Sequence, residues 1–185
     1  DRRETISYLE EVAAATDVPI MLYNNPVAYG TDLLPADFES MASNPKFVAI
    51  KESSANTRRI PEIRRRTGDR YAIFCGVDDL AFESFGLGAV GWVAGLVVAF
   101  PHETVRLYEL MCADKWVEAR TLYEWFLPLL SLDIGPKFVQ QIKLVEELVG
   151  VGSARVRSPR LSLTDDDALR VRQIVEQALE TRPAL

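Results

Sequence analysis

Two residues of this 185-residue chain are of a type, and in a place, to do covalent chemistry. Lys51 ends the apolar run Phe47-Val-Ala-Ile, which suits a buried strand, so it stands at that strand's carboxyl end. Ligand sites of parallel α/β folds gather at those ends. Desolvation favours a neutral amine, which attacks a carbonyl carbon and forms a Schiff base. Taken alone, such a lysine more often snorkels from the strand end or pairs with its neighbour, here Glu52. Tyr23 ends the earlier apolar run Val18-Pro-Ile-Met-Leu. A phenol there can relay protons to a carbinolamine or enamine, or sit in the core with its hydroxyl bonded. Two such residues ending adjacent strands can converge over one pocket, which moves the balance toward chemistry.

Other candidates carry less. Gly76 follows the run Tyr71-Ala-Ile-Phe-Cys75, where a glycine allows a ligand or a backbone to approach closely. It also suits a tight turn, with Asp78 capping the next helix. Gly88-Ala-Val-Gly-Trp-Val-Ala-Gly95 is glycine-rich but has neither the Lys-Ser/Thr of a phosphate-binding loop nor a dinucleotide fingerprint. Arg58, Arg59, Arg64, Arg65 and Arg66 read as a solvated helix face. Asp165-Asp-Asp167 reads as charge for a helix N-terminus rather than a metal site. His102 is given no role, and Trp92, Trp116 and Trp125 read as packing.

The elements that position these residues alternate. Strands are expected over Val18–Tyr23, Phe47–Lys51, Tyr71–Cys75 and Val90–Ala94. Helices are expected over Asp1–Thr16, Pro35–Met41, from a Ser53-Ser54 cap to Arg66, and over Asp79–Phe85. Continuous apolar strands with short loops imply a parallel sheet covered by helices. From Pro101 onward only helices are expected, over Pro101–Ala113, Asp114–Leu132, Pro136–Val149 and Thr164–Thr181. The strands fit a small doubly wound sheet or half of a (β/α)8 barrel, which normally needs about 250 residues. A free-standing half barrel leaves two parallel edge strands and half its interior uncovered.

Composition narrows the function. With 21 Lys+Arg against 27 Asp+Glu the formal charge is −6, which argues against nucleic acid as the partner. One histidine rules out a multi-histidine metal site, so no metal is expected. Two cysteines, Cys75 and Cys112, do not make a disulfide framework, which points to a reducing compartment and a cytoplasmic location. The longest apolar stretch, Val90 to Phe100, is too short to span a bilayer.

Four motifs stand in order: Tyr23-Asn-Asn-Pro26, then Ile50-Lys51-Glu-Ser-Ser54, then Cys75-Gly76-Val-Asp78, then Gly88-Ala-Val-Gly91-Trp-Val. This set resembles the dihydrodipicolinate synthase / N-acetylneuraminate lyase family. The resemblance covers nearly the whole chain. It implies a class I, Schiff-base (β/α)8-barrel (TIM barrel) lyase with a C-terminal helical extension, of which this chain holds about the last four βα units. Residues 1–100 then form the carboxyl-terminal half of the barrel, and residues 101–185 the last barrel helix and the extension. By position, Lys51 resembles the Schiff-base lysine for pyruvate or another small 2-oxo acid, and Tyr23 the proton-relaying tyrosine. Gly76 resembles the backbone contact to the keto acid, and Val93 an aliphatic wall of the pocket. No organic cofactor is implied, and association as a homo-oligomer is expected.

The departures from the family pattern matter as much. The paired threonines and the Gly-Glu segment of the family's earlier strands are absent, so the natural polypeptide is expected to be longer. The arginine that binds the second substrate's carboxylate in authentic 4-hydroxy-tetrahydrodipicolinate synthases is replaced by Ala28. Alanine cannot substitute for a bidentate guanidinium. The tail resembles members that deaminate a hydroxylated pyrroline carboxylate. The finer expectation is therefore a pyrroline-4-hydroxy-2-carboxylate deaminase, with lysine-biosynthetic synthase activity or a non-catalytic half-barrel binding module as alternatives.

Overall fold

A computed structural model describes residues 1–184. Asp1 caps the first helix, α1 (Arg2–Ala14), accepting the amides of Arg3 at 2.8 Å and Glu4 at 3.2 Å. The capping box with Glu4 satisfies donors that a helix start leaves open. The chain then forms β1 (Ile20–Asn24), a one-turn helix α2 (Pro26–Tyr29), α3 (Pro35–Ser40), β2 (Phe47–Glu52), α4 (Arg59–Thr67) and β3 (Ala72–Cys75). A 3-10 turn, Asp78–Leu80, leads into α5 (Ala81–Gly86), and β4 (Gly91–Trp92) follows.

The four strands are parallel and lie in the order β1-β2-β3-β4. Every connection steps one strand in the same direction. A doubly wound sheet reverses direction at a switch point. This order is that of a singly wound barrel segment, which decides between the two architectures the apolar runs allow.

Strand register sorts the side chains into rows. Leu22, Ile50 and Ile73 stand side by side and meet the helices, where they join Phe38, Met41, Ile60 and Ile63 in the core of this unit. One residue on, Tyr23, Lys51, Phe74 and Gly91 form the next row. Successive strand residues point to opposite faces, so this row faces away from the helices. The row after it, Asn24, Glu52, Cys75 and Trp92, returns to the helix side.

Two local expectations are corrected. The helix after β2 starts at Arg59 and not beside Ser53-Ser54, because those serines are held by the sheet. The Ser54 amide donates to Glu52 Oε1 at 2.7 Å, and Ser53 Oγ donates to the Gly76 carbonyl at 3.0 Å. The arginines are not a purely solvated face either. Arg59 pairs with Asp32, Arg64 donates to the Gly88 carbonyl at 2.8 Å, and Arg66 pairs with Glu39 at 2.9 Å. Ile60 and Ile63 bury the opposite side of α4, which pulls the helix close enough for these contacts.

The chain divides into two compact units, Asp1–Val93 and Ala94–Leu185. The second contains α6 (Pro101–Cys112), α7 (Trp116–Leu130), α8 (Phe138–Leu148) and α9 (Asp165–Glu180). Its interior is built on Phe100, Leu107, Phe126, Leu129, Val145, Val171 and Val175. Phe126 meets Phe100 edge to face and stacks on Trp125, whose indole N–H donates to the Ala178 carbonyl at 3.1 Å. Thr164 caps α9, and the three aspartates of its first turn supply negative charge to the helix start. Among the described residues, no helix is long and apolar enough to cross a membrane.

Candidate active site

The expected site residues all belong to the first unit, and register brings two of them together. Tyr23 and Lys51 are neighbours across the β1–β2 pair, each one residue before the strand's carboxyl end. The Lys51 ammonium sits 4.2 Å from the centroid of the Tyr23 ring. The Tyr23 hydroxyl accepts the Asn25 side-chain amide at 2.9 Å, which leaves its own proton available to a ligand. Tyr29 stands edge-on to Tyr23, with ring centroids 5.6 Å apart. Tyr23 is 42% exposed and Lys51 partly so, which makes both reachable from the face away from the helices.

Gly76 acts on Lys51 through the side chain it lacks. A Cβ there falls 2.8 Å from both Cγ and Cε of Lys51 and 1.9 Å from Ser53 Oγ. Its amide donates to the Glu52 carbonyl at 3.0 Å, and its carbonyl accepts Ser53. Gly91 plays a similar part on the next strand, where a Cβ falls 2.5 Å from the Phe74 ring. The ring of Phe74 therefore lies against bare backbone, in the same row as Lys51. Val93 follows β4, donates its amide to the Cys75 carbonyl at 2.9 Å and is 39% exposed.

The residues behind the row were not singled out from the sequence for chemistry. Asn24 and Glu52 are buried polar side chains that directly follow Tyr23 and Lys51. Burial pushes the Glu52 carboxyl above its usual range, while hydrogen bonds from Ser54 and Asn24 oppose the rise. Asp32 is held low by its hydrogen bonds from Arg59. The available signal was an Asn and a Glu at strand ends, where an apolar residue is otherwise expected. Asp78, expected as a cap, is the N-cap neither of the 3-10 turn, where Val77 stands, nor of α5, where Leu80 stands; it is buried and accepts the Trp92 indole N–H at 3.0 Å.

Near the ends of β2 and β3 the helix side of the sheet is closely packed. A cavity of about 10 Å³ lies there between Glu52, Ile60, Cys75 and Ser84. That holds at most about one water. Lys51 lies on the opposite face of the sheet, beside Tyr23. Burial also pushes the Cys75 thiol up to about 11. At pH 8 iodoacetamide is expected to modify exposed Cys112 and spare Cys75 until the protein unfolds. Peptide mapping of the folded protein checks this, and early modification of Cys75 contradicts it. Among the described residues, no cluster of three or more His, Cys, Asp or Glu side chains could hold a metal ion.

Comparison with known proteins adds to this geometry. The model of the Dihydrodipicolinate synthetase family matches residues 1–178. A 4-hydroxy-tetrahydrodipicolinate synthase from Geotalea daltonii is 29% identical over 170 residues, covering 90% of this chain and 57% of its own. One from Exiguobacterium sibiricum is 31% identical over 161 residues, covering 85% and 53%. The structure of the 4-hydroxy-tetrahydrodipicolinate synthase from Methylacidiphilum fumariolicum SolV superposes with a TM-score of 0.91 at 25% identity, covering 97% of this chain and 60% of that one. A dihydrodipicolinate synthase variant described as monomeric shares the fold, with a TM-score of 0.88 at 19% identity and coverage of 96% and 61%. The chain spans a little over half the length of the curated relatives it matches.

Proposed function

We propose that this chain, which belongs to the dihydrodipicolinate synthetase family, carries the covalent centre of a lyase or synthase acting on pyruvate or a related small 2-oxo acid or cyclic imine. The observation that carries the reading is the Lys51 amine, set 4.2 Å from the Tyr23 ring at the carboxyl ends of two adjacent parallel strands. In the proposed reaction neutral Lys51 adds its nitrogen lone pair to the keto carbon. Tyr23 passes a proton to the carbinolamine oxygen, which leaves as water and yields the protonated imine. That cation is an electron sink. An adjacent carbon–carbon bond then forms or breaks, or a β-leaving group departs. Gly76 borders the keto acid with its backbone while leaving room for the Lys51 stem, and Val93 supplies an apolar wall. The lysine does the covalent work, so the reading invokes no organic cofactor.

Residues 1–100 are assigned to the barrel half and residues 101–185 to the last barrel helix and the extension. The whole protein is proposed to be a cytoplasmic homo-oligomer, which light scattering of the full-length protein tests. For the finer activity, Ala28 weighs against a second substrate held by an arginine there. It lies exposed in α2, its amide bonded to Asn25 Oδ1 at 3.1 Å. A hydroxylated pyrroline carboxylate is the proposed substrate. Turnover of that compound with release of ammonia supports the assignment, whereas condensation of pyruvate with aspartate semialdehyde supports the synthase alternative.

Borohydride reduction in the presence of pyruvate tests the central claim. A stable adduct mapped to Lys51 is expected, and its absence with pyruvate and with the pyrroline compound favours the non-catalytic half barrel. Tyr23→Phe removes the relayed proton and keeps the ring beneath the amine. Its kcat is expected to fall about 10²–10⁴-fold, the range for loss of a general acid–base group. An unchanged kcat removes Tyr23 from the mechanism.

A further inference from the structure

Behind the Lys51 row, a chain of polar groups joins the ends of the two strands that carry Tyr23 and Lys51. Asn24 is 2% exposed and Glu52 6%, and they are register partners. Asn24 Nδ2 lies 3.1 Å from Glu52 Oε2 and 3.2 Å from the Leu33 carbonyl, while its Oδ1 accepts the Leu33 amide at 3.0 Å. Glu52 Oε1 accepts the Ser54 amide at 2.7 Å. Asp32, 3.3 Å from Asn24 Nδ2, carries the chain outward to Arg59, which bonds it through both Nη atoms and reaches the Leu33 carbonyl at 3.3 Å. The segment after Tyr23, the end of β2 and the start of α4 are thus tied at one point.

We propose that the Asn24–Glu52 pair is a positioning device that holds Lys51 and Tyr23 at reacting distance. The proposal rests on the Schiff-base reading of Lys51. Each member of the pair directly follows one member of the reactive couple, on the opposite face of the sheet. A bond between Asn24 and Glu52 on the buried side therefore sets the spacing and tilt of Tyr23 and Lys51 on the open side. An ammonium resting on a partly exposed ring is too weak a contact to do this alone. A fully bonded buried network is rigid, and a half-bonded one is costly.

Donor and acceptor accounting makes the pair specific. Leu33 bonds both ends of the Asn24 amide and so fixes which end is nitrogen. That nitrogen points at Glu52, so position 52 must accept. It must accept from the Ser54 amide as well. An ionised carboxylate offers two accepting oxygens, whereas glutamine offers one oxygen and one N–H₂. Glu52→Gln therefore sets donor against donor with almost no change in volume. Asn24→Asp sets acceptor against both the Leu33 carbonyl and Glu52.

The test uses the full-length protein, with pyruvate as the probe. The first-order rate of borohydride-trapped imine formation, the pyruvate concentration for half-saturation and the thermal midpoint are measured for parent, Glu52→Gln and Asn24→Asp. Imine formation is expected to slow about 10- to 100-fold, the scale on which small misplacements of reacting groups are felt. Half-saturation is expected to move less than about threefold, because neither residue meets the ligand. Lowered midpoints with unchanged rates show a packing role only and overturn the proposal. If the buried variants do not fold, Asp32→Asn at the part-exposed end decides. A slowing of at least about threefold supports the device, and a parental rate overturns it. A parent protein that traps no pyruvate overturns the Schiff-base reading instead, so the two failures are told apart.

Discussion

Lys51→Ala is expected to abolish the borohydride-trapped adduct and to lower turnover by at least about 10⁴-fold, the scale on which loss of a covalent nucleophile is felt. The fold is expected to survive. Lys51 is partly exposed, and the interaction lost is an ammonium over the Tyr23 ring. Such a contact contributes roughly 0.5–1 kcal/mol at an accessible site. Circular dichroism and a thermal midpoint close to the parent's check that the variant is folded. Lys51→Arg sharpens the result. The guanidinium keeps the charge over the ring but remains protonated, so it cannot add to a carbonyl. Both variants are therefore expected to be inactive. Turnover retained in either one overturns the covalent assignment.

The second large effect concerns a residue with no side chain. Gly76→Ala is expected to slow imine formation about 100-fold, the penalty for shifting a reacting group by about an ångström. The backbone itself does not object, since Gly76 is not among the positive-φ glycines. The obstruction is steric, with the new methyl 2.8 Å from Lys51 Cγ and Cε and 1.9 Å from Ser53 Oγ. Ser53 can rotate away at the cost of its bond to the Gly76 carbonyl. Lys51 Cγ lies near the base of its side chain, so displacing it swings the amine off the Tyr23 ring. Crowding of this kind costs about 1–3 kcal/mol of stability. Pairing Gly76→Ala with Ser53→Ala separates the two consequences. Removing the hydroxyl relieves the shorter contact and is expected to restore part of the melting temperature. It leaves the methyl against Lys51, so the rate stays low. A double variant that recovers the parental rate shows that Ser53, and not Lys51, takes the strain.

These two residues also show where reading the chain in one dimension is strong. Lys51 is conspicuous because a lysine closing an apolar strand is chemically unusual, and the alternation of apolar runs with helical segments places that strand in a parallel sheet. Tyr23 follows by the same logic. Gly76 is visible as a glycine after a strand, but its use is not. Whether a missing Cβ makes room for a ligand, a turn or another side chain depends on what stands beside it on β2. Likewise the five arginines around α4 look like a charged face until Asp32, Gly88 and Glu39 arrive from other segments.

The amino-acid sequence alone determined the run of strands and helices, the parallel class of the sheet and the all-helical second part, and it singled out Tyr23 and Lys51 as candidates. Those follow from apolar periodicity and residue chemistry, which are local properties. Tertiary structure decided what depends on pairing between distant segments. Strand order excluded the doubly wound alternative, because direction reversal is a property of neighbours in space. The start of α4 moved to Arg59, because Ser53 and Ser54 were claimed by Gly76 and Glu52. The bonded chain through Asn24, Glu52, Asp32 and Arg59 emerged only there. Its members lie on four separate stretches of chain, and a hydrogen bond exists only where donor and acceptor meet.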